Sequence, residues 1–165
     1  MQFQSSIRQF SREIRLLITA FVITINIGFF TGLNFVNETS SFKPDGIETN
    51  YLGNENDENA EVMQFKKSEK EILTIVHNHI LSLSLIFLLL GIILSFTSIN
   101  KKLMRVLILE PFLSIIMTFG GIYILWKGIL WFKYVIMISG TALTISLLLT
   151  SFFILKESVF PPKNT

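Results

Sequence analysis

Residues 72–98 constrain the fold of this chain most strongly, because they contain no Asp, Glu, Lys or Arg. At about 1.5 Å of rise per residue, a helix of this length can cross a hydrocarbon core of ~30 Å. A charged run, residues 66–71, comes directly before it. The pattern predicts a membrane helix that begins in water and carries His77 and His79 just inside the boundary.

Four apolar stretches are each long enough to cross a bilayer. We expect them at residues 16–36, 72–98, 106–126 and 134–155. Residues 37–71 form one long polar connection, and the other connections are short. The sequence therefore predicts an all-α fold, a single membrane domain over residues 1–165 in which four transmembrane helices form an up-and-down bundle with one long external loop.

Small and polar residues recur at helical spacing in each predicted span. In lipid, such residues mark contact faces, because helices associate there through close backbone approach and polar contacts. We therefore expect each stripe to face the other helices. The four stripes are Ala20, Thr24, Gly28 and Gly32; His77, Ser84, Gly91 and Ser98; Glu110, Ser114, Thr118 and Gly121; and Gly140, Thr144 and Ser151.

The basic residues predict the orientation of the chain in the membrane. Short flanks rich in Lys and Arg stay in the cytoplasm. We therefore expect a multi-pass membrane protein with both termini in the cytoplasm and residues 37–71 on the opposite side of the membrane. The residues that set this orientation are Arg8, Arg12, Arg15, Lys101, Lys102, Arg105, Lys156 and Lys163. At the opposite end, Trp126, Trp131 and Tyr134 are typical of an interfacial aromatic belt.

Composition and motifs exclude several classes of function. The net charge is only +2 and the basic residues form no patch, so nucleic acid is not an expected partner. The absence of cysteine excludes disulfides, thiolate metal sites, iron–sulfur clusters and covalent haem attachment. Hydrolase, phosphate-loop and dinucleotide motifs are absent, which favours a non-enzymatic role.

The polar connection and the start of the second span carry a recognisable pattern. It comprises Gly46-Ile47-Glu48-Thr49-Asn50-Tyr51-Leu52-Gly53-Asn54-Glu55, Phe65-Lys66-Lys67-Ser68, Glu71-Ile72-Leu73 and His77-Asn78-His79. Residues 46 to 91 thereby resemble a group of uncharacterised small four-helix bacterial inner-membrane proteins. These share a Gly-Ile-x-x-x-Tyr-x-Gly-Asn external loop, then a Lys-Ser and a His-x-His membrane helix. The resemblance implies a bacterial inner membrane, in which residues 37–71 would be periplasmic, and no particular activity.

His77 and His79 are the first candidates for chemistry. Two residues apart on a helix, they point about 160° from one another. His77 shares a stripe with Ser84 and is expected to face the other helices, whereas His79 is expected nearer to lipid or to the loop. One interpretation is two interfacial histidines satisfied by water or loop carbonyls. The other is a site for a divalent metal, with the loop carboxylates Glu58 and Glu61, or for a b-type haem.

A haem held by His77 would need a second axial ligand. That ligand could be His79 through a distorted helix, Met117 or Met137, or His77 of another protomer.

Glu110 is the other unusual residue. If the third helix starts near Met104, Glu110 lies about 9 Å inside it, and an ionisable group at that depth suggests a function. Alternatively, the helix starts at Pro111, and Glu110 lies at its mouth, paired with Arg105 or Lys102. We favour the second interpretation from the sequence.

Three functional classes follow from these features. The first is a non-enzymatic accessory or assembly protein of the cell envelope, including one attached to a respiratory complex, with the bilayer and other membrane proteins or a second copy as partners. The second is a small redox, haem- or metal-handling membrane protein that uses His77. The third is a component of a transporter or channel, for which Pro111 is the only hint of a broken helix.

Overall fold

The computed structural model describes residues 6–55, 60 and 62–160, and every regular element in them is helical. Four lengths of helix are long and apolar enough to cross a membrane. This confirms the predicted all-α fold with four transmembrane helices. A 3₁₀ turn, Ile7–Gln9, precedes α1 (Arg12–Ser40), α2 (Pro44–Leu52), α3 (Glu69–Leu94), α4 (Lys101–Ile115), a π-helical segment (Ile116–Gly120), α5 (Gly121–Trp126) and α6 (Phe132–Val159). The third crossing comprises α4, the π segment and α5.

Local capping explains where the membrane helices begin. Ser68 and Glu71 form a capping box at the start of α3, in which the Glu71 carboxylate accepts from the Ser68 amide at 2.8 Å. Asn100 caps α4 by accepting from the Lys102 amide at 2.8 Å. These caps satisfy amides that have no partner within the helix. Helices α3 and α4 therefore start a few residues earlier than the apolar stretches alone predict.

The polar connection contains a helix, α2, which lies across one end of the bundle. Pro44 takes the first helical position, where its missing N–H costs nothing, and Ile47 is buried. The ammonium of Lys133 on α6 donates to Asp45 at 2.8 Å and to Glu48 at 2.7 Å. We call this end of the bundle, with α2 and residues 53–68, the loop end. The opposite end, where the 3₁₀ turn meets the last turn of α6, is the termini end.

Helix α6 occupies the centre of the bundle, since it contacts every other helix of the described structure. Its inward hydroxyls link it to three different neighbours. Ser151 accepts from the Asn26 amide of α1 at 2.8 Å, Ser139 pairs with Thr118 of the π segment at 2.7 Å, and Ser146 donates to Glu110 of α4. A hydrogen bond between membrane helices contributes about 0.6 kcal/mol on average. These bonds therefore set the registers of the helices more than they add stability.

Two apolar clusters fill the bundle at different depths. The larger one joins α1, α3, α4 and α6 towards the termini end, with Val22, Leu90, Leu94 and Leu147 fully buried. The smaller one lies at the loop end, where Ile47 of α2 packs with Ile72, Ile122, Leu125 and Ile136. Helix α1 packs on α6 and α2, and α3 packs on α4 and α6, but α1 and α3 make few close contacts with each other. This arrangement leaves a gap between α1 and α3.

Glu157 closes the termini end, a role that the sequence did not suggest. Its side chain is only 5% exposed and accepts from the Ser6 hydroxyl at 3.0 Å and from the Ser98 amide at 2.7 Å. The Arg8 guanidinium lies 3.6 Å away. The carboxylate thereby joins the N-terminal turn, the α3–α4 connection and the end of α6.

We predict that Gly46→Ala loosens α2 from the bundle. A Cβ at Gly46 would overlap the carbonyl of Ser40, at the end of α1, and neither backbone atom can move without shifting a helix. Overpacking of this kind costs about 1–3 kcal/mol. The loss should appear in denaturant unfolding of the detergent-solubilised protein. Gly120→Ala is the matched control, because no atom lies within 4 Å of its Cβ position. Equal stability of the two variants would contradict the prediction.

Candidate functional site

A cavity of about 950 Å³ occupies the gap between α1, α3 and α6. Phe87, Leu143 and Leu147 of the larger apolar cluster form its floor, and Ile47 and Tyr51 of α2 form its roof. The cavity is partly open rather than fully enclosed. It exists because α1 and α3 are both held against α6 while α2 keeps the loop end covered.

The walls of the cavity are made mostly of hydrocarbon. On α1, Gly28 and Gly32 face open space, with no atom within 4 Å of either Cβ position. The expectation that this stripe packs against another helix of the chain is therefore wrong for these two glycines. Opposite them, Gly140 and Thr144 of α6 line the same cavity. The small residues enlarge the space between the helices instead of closing it.

Three of the polar side chains that line the cavity lie under its roof. Asn50 and Tyr51 of α2 and Lys67 of the following segment line it there. Burial raises the pKa of the Tyr51 phenol to about 12, since the phenolate would lose hydration. The phenol is therefore a neutral hydrogen-bond donor at physiological pH. Among the residues that the structure describes, its hydroxyl has no hydrogen-bond partner.

The backbone of Lys67 is fixed on both sides. Its amide donates to the Tyr51 carbonyl at 3.2 Å, and its carbonyl accepts from the indole N–H of Trp126 at 2.8 Å. Trp126 therefore holds the loop in place, a role beyond the interfacial anchor expected from the sequence. The Lys67 ammonium forms no ion pair within the described part of the chain.

Both histidines are exposed, and the structure places His77, but not His79, differently from the sequence-based expectation. His79 lines the cavity: its Nδ1 donates to the Ile75 carbonyl at 2.8 Å, and its ring stacks on Phe119 with centroids 4.5 Å apart. His77 is exposed and has no such partner among the described residues. Around the helix axis, His79 lies about 20° from the buried Ile72, and His77 lies about 140° from it. The inward face of α3 is thus the face of His79, not of His77.

Of the four proposed metal ligands, the structure describes only His77 and His79. Glu58 and Glu61 lie outside the described residues. Within residues 6–55, 60 and 62–160, no group of three or more His, Asp or Glu side chains could hold a metal ion. His77 and His79 point to different sides of α3, which agrees with their spacing.

Glu110 lies within the third crossing rather than at its mouth. Helix α4 begins at Lys101, so the expected start at Pro111 is wrong. The Glu110 carboxylate accepts from the hydroxyls of Ser114 on α4 and Ser146 on α6. No ion pair joins it to Arg105 or Lys102. Glu110 therefore joins α4 to α6 through serines and lies outside the cavity lining.

A π-helical segment follows Pro111 and shapes the cavity wall. Pro111 has no N–H to donate to the preceding turn, and helices are disturbed at such positions. In residues Ile116–Gly120, the wider π turn presents Thr118 and Phe119 to the cavity. π-helical turns are frequent at functional sites. The sequence hinted at this break only through Pro111.

A protein-family model matches most of the chain. The model of the Aq_1264_TM transmembrane helical domain matches residues 41–165. The chain belongs to this family. No curated protein and no solved structure matches the chain significantly.

The Aq_1264_TM domain contains most of the candidate site. The matched residues include α2, α3, the π segment and α6, and hence the roof, His79 and one long wall of the cavity. Helix α1, which carries the opposite wall with Gly28 and Gly32, precedes the matched region.

We predict that Glu110→Ala destabilises the bundle by about 1–2 kcal/mol, because two serine hydroxyls lose their acceptor. Reversible unfolding in mixed detergent micelles would measure the loss. Leu109→Ala is the control, since Leu109 is 68% exposed on the same turn. A Glu110 variant no less stable than the Leu109 variant would show that the carboxylate does not join the helices.

Proposed function

We propose that this chain is a non-enzymatic accessory protein of a bacterial inner membrane that holds the hydrocarbon chain of a lipid-soluble molecule. The observation that carries the proposal is the 950 Å³ cavity between α1, α3 and α6. Its volume lies at the upper end of ordinary ligand sites, about 300–1,000 Å³. Its apolar walls lie within the lengths of helix that are able to span a membrane.

The physics of the bilayer supports a hydrocarbon occupant. Water does not fill a cavity that offers it few polar partners. An empty apolar space loses the dispersion contacts of its walls. Because the cavity is partly open at membrane depth, a lipid chain can enter without crossing water. The hydroxyls of Thr24, Thr31, Thr141 and Thr144 are the main polar groups along its walls.

The outer surface of α1 supports an accessory or assembly role beside other membrane proteins. Only 11% of the most apolar window of α1 is buried, against 39% in the third and fourth crossings. Leu17 and Ile27 are 70% and 63% exposed. Lipid or a partner such as a respiratory complex could cover this surface, with the termini end in the cytoplasm as the basic residues predict.

The proposal predicts that filling the cavity expels its occupant. In the double variant Gly28→Leu/Gly32→Leu, two side chains would enter open space. We expect native mass spectrometry to show lipid retained on the unmodified protein and retention at least tenfold lower on the variant. Ala20→Leu is the control, because Ala20 is exposed on α1 outside the cavity lining. Equal retention by all three proteins would overturn the proposal.

A second candidate function is haem handling, and the observation that favours it concerns His79. The side chains of His79 and Met137 line the same cavity, whereas Met117, the other methionine considered, is 43% exposed and lies outside the lining. Histidine and methionine together are a known axial pair for haem.

The haem alternative predicts a Soret band in the visible spectrum of protein purified from haem-supplied cells. The band should disappear in His79→Ala and persist in His77→Ala, since His77 does not line the cavity. A spectrum without a Soret band would remove this alternative and leave the lipid proposal untouched.

A further inference from the structure

We propose that the cavity selects an anionic, phosphate-bearing lipid, whose headgroup binds the Lys67 ammonium and the Tyr51 hydroxyl while its acyl chain lies below them. This inference rests on the proposed function and adds the headgroup chemistry to it. Its basis is the juxtaposition of unpaired donors with the apolar cavity at the roof.

Lys67 places a positive charge at the roof, where Glu71 lies near it but accepts hydrogen bonds from Ser68, and three other carboxylates pair with other lysines. Asp45 and Glu48 of α2 both accept from Lys133. Glu69 pairs with Lys127 at 3.0 Å. Of the basic side chains near the roof, Lys67 is the one that lines the cavity, and it has no ion pair within the described ranges. A phosphate headgroup would complement this charge.

The backbone that carries the two donors is held in position before a ligand arrives. The bond from the Lys67 amide to the Tyr51 carbonyl keeps the two residues adjacent, and Trp126 fixes the carbonyl of Lys67. Gly53 makes this close approach possible: its φ is +79°, and a Cβ there would lie 2.7 Å from the Lys66 amide nitrogen. Pre-positioned donors bind with less loss of conformational entropy.

Tyr51 and Lys67 suit a phosphate better than a neutral headgroup. The phenol stays protonated because burial raises its pKa, so it donates a hydrogen bond to a phosphate oxygen. Lysine binds phosphate as a point charge with three donors. A zwitterionic lipid adds a cationic group, and the Lys67 ammonium repels it.

The test compares lipids that differ only in the headgroup, bound to the full-length protein in mild detergent. The lipids are phosphatidylglycerol and phosphatidylcholine with identical acyl chains, and the probe without chains is glycerol 3-phosphate. We expect about tenfold tighter binding of phosphatidylglycerol than of phosphatidylcholine, because both present a phosphate to Lys67 but only phosphatidylcholine brings a second cation that Lys67 repels. Glycerol 3-phosphate should bind far more weakly than either lipid.

Variants of Lys67 and Tyr51 test whether these roof residues cause the preference for phosphatidylglycerol. Lys67→Gln should bring the two affinities within about twofold while phosphatidylcholine binding is retained, which also shows that the protein is folded. Tyr51→Phe should reduce the preference in part. Lys70→Gln is the matched control, because Lys70 is an exposed lysine at the start of α3 outside the cavity lining, and it should keep the full preference.

Each contrary result has one meaning. Equal binding of both lipids to the unmodified protein, or an undiminished preference in Lys67→Gln, overturns the headgroup inference and leaves the hydrocarbon site intact. Failure of both lipids to bind overturns the proposed function itself. Glycerol 3-phosphate binding as tightly as phosphatidylglycerol would show a site for free phosphate esters and would overturn the lipid assignment.

Discussion

The double ion pair of Lys133 is the interaction on which the arrangement of the loop end depends. It holds α2 against the first turn of α6 through Asp45 and Glu48, and the Lys133 side chain is only 14% exposed. A lysine this enclosed needs both carboxylates, because an unpaired charge removed from water is costly. With α2 held in this position, Ile47 completes the smaller apolar cluster and Tyr51 covers the cavity. Without this ion pair, α2 would no longer cover the cavity between α1 and α3.

Several residues of the segment from Gly46 to Asn54 make the contacts that build the roof. Gly46 allows α2 to touch the end of α1, and Gly53 adopts a positive φ where the chain returns. Asn54 closes the return, since its side chain accepts from the Gln64 amide at 2.6 Å and donates to the Val62 carbonyl at 3.0 Å. Tyr51 faces the cavity from the same short helix. These residues therefore form a cover over the cavity rather than a solvated loop.

The sequence predicts the four crossings well because bilayer thickness imposes a length and a composition that few other structures share. It predicts side-chain directions less well. The seven-residue repeat through His77 holds at Gly91, where a Cβ would lie 3.7 Å from Ile108 of α4, but it is wrong at His77, which is exposed. The gap between α1 and α3 could not be read from the residues, because Gly28 and Gly32 are as compatible with a packed helix as with a cavity. Glu157 also lacked a signal, since its partners lie far away in the chain.

The central claim is that α1 and α3 stand apart at the loop end with a lipid chain between them. The most direct measurement is an experimental density map of the protein in lipid nanodiscs. The account predicts elongated density that begins beside Tyr51 and Lys67 and runs past Gly28 towards Phe87. A map in which α1 packs directly against α3, with no space between Gly28 and the α3 side chains, would contradict it.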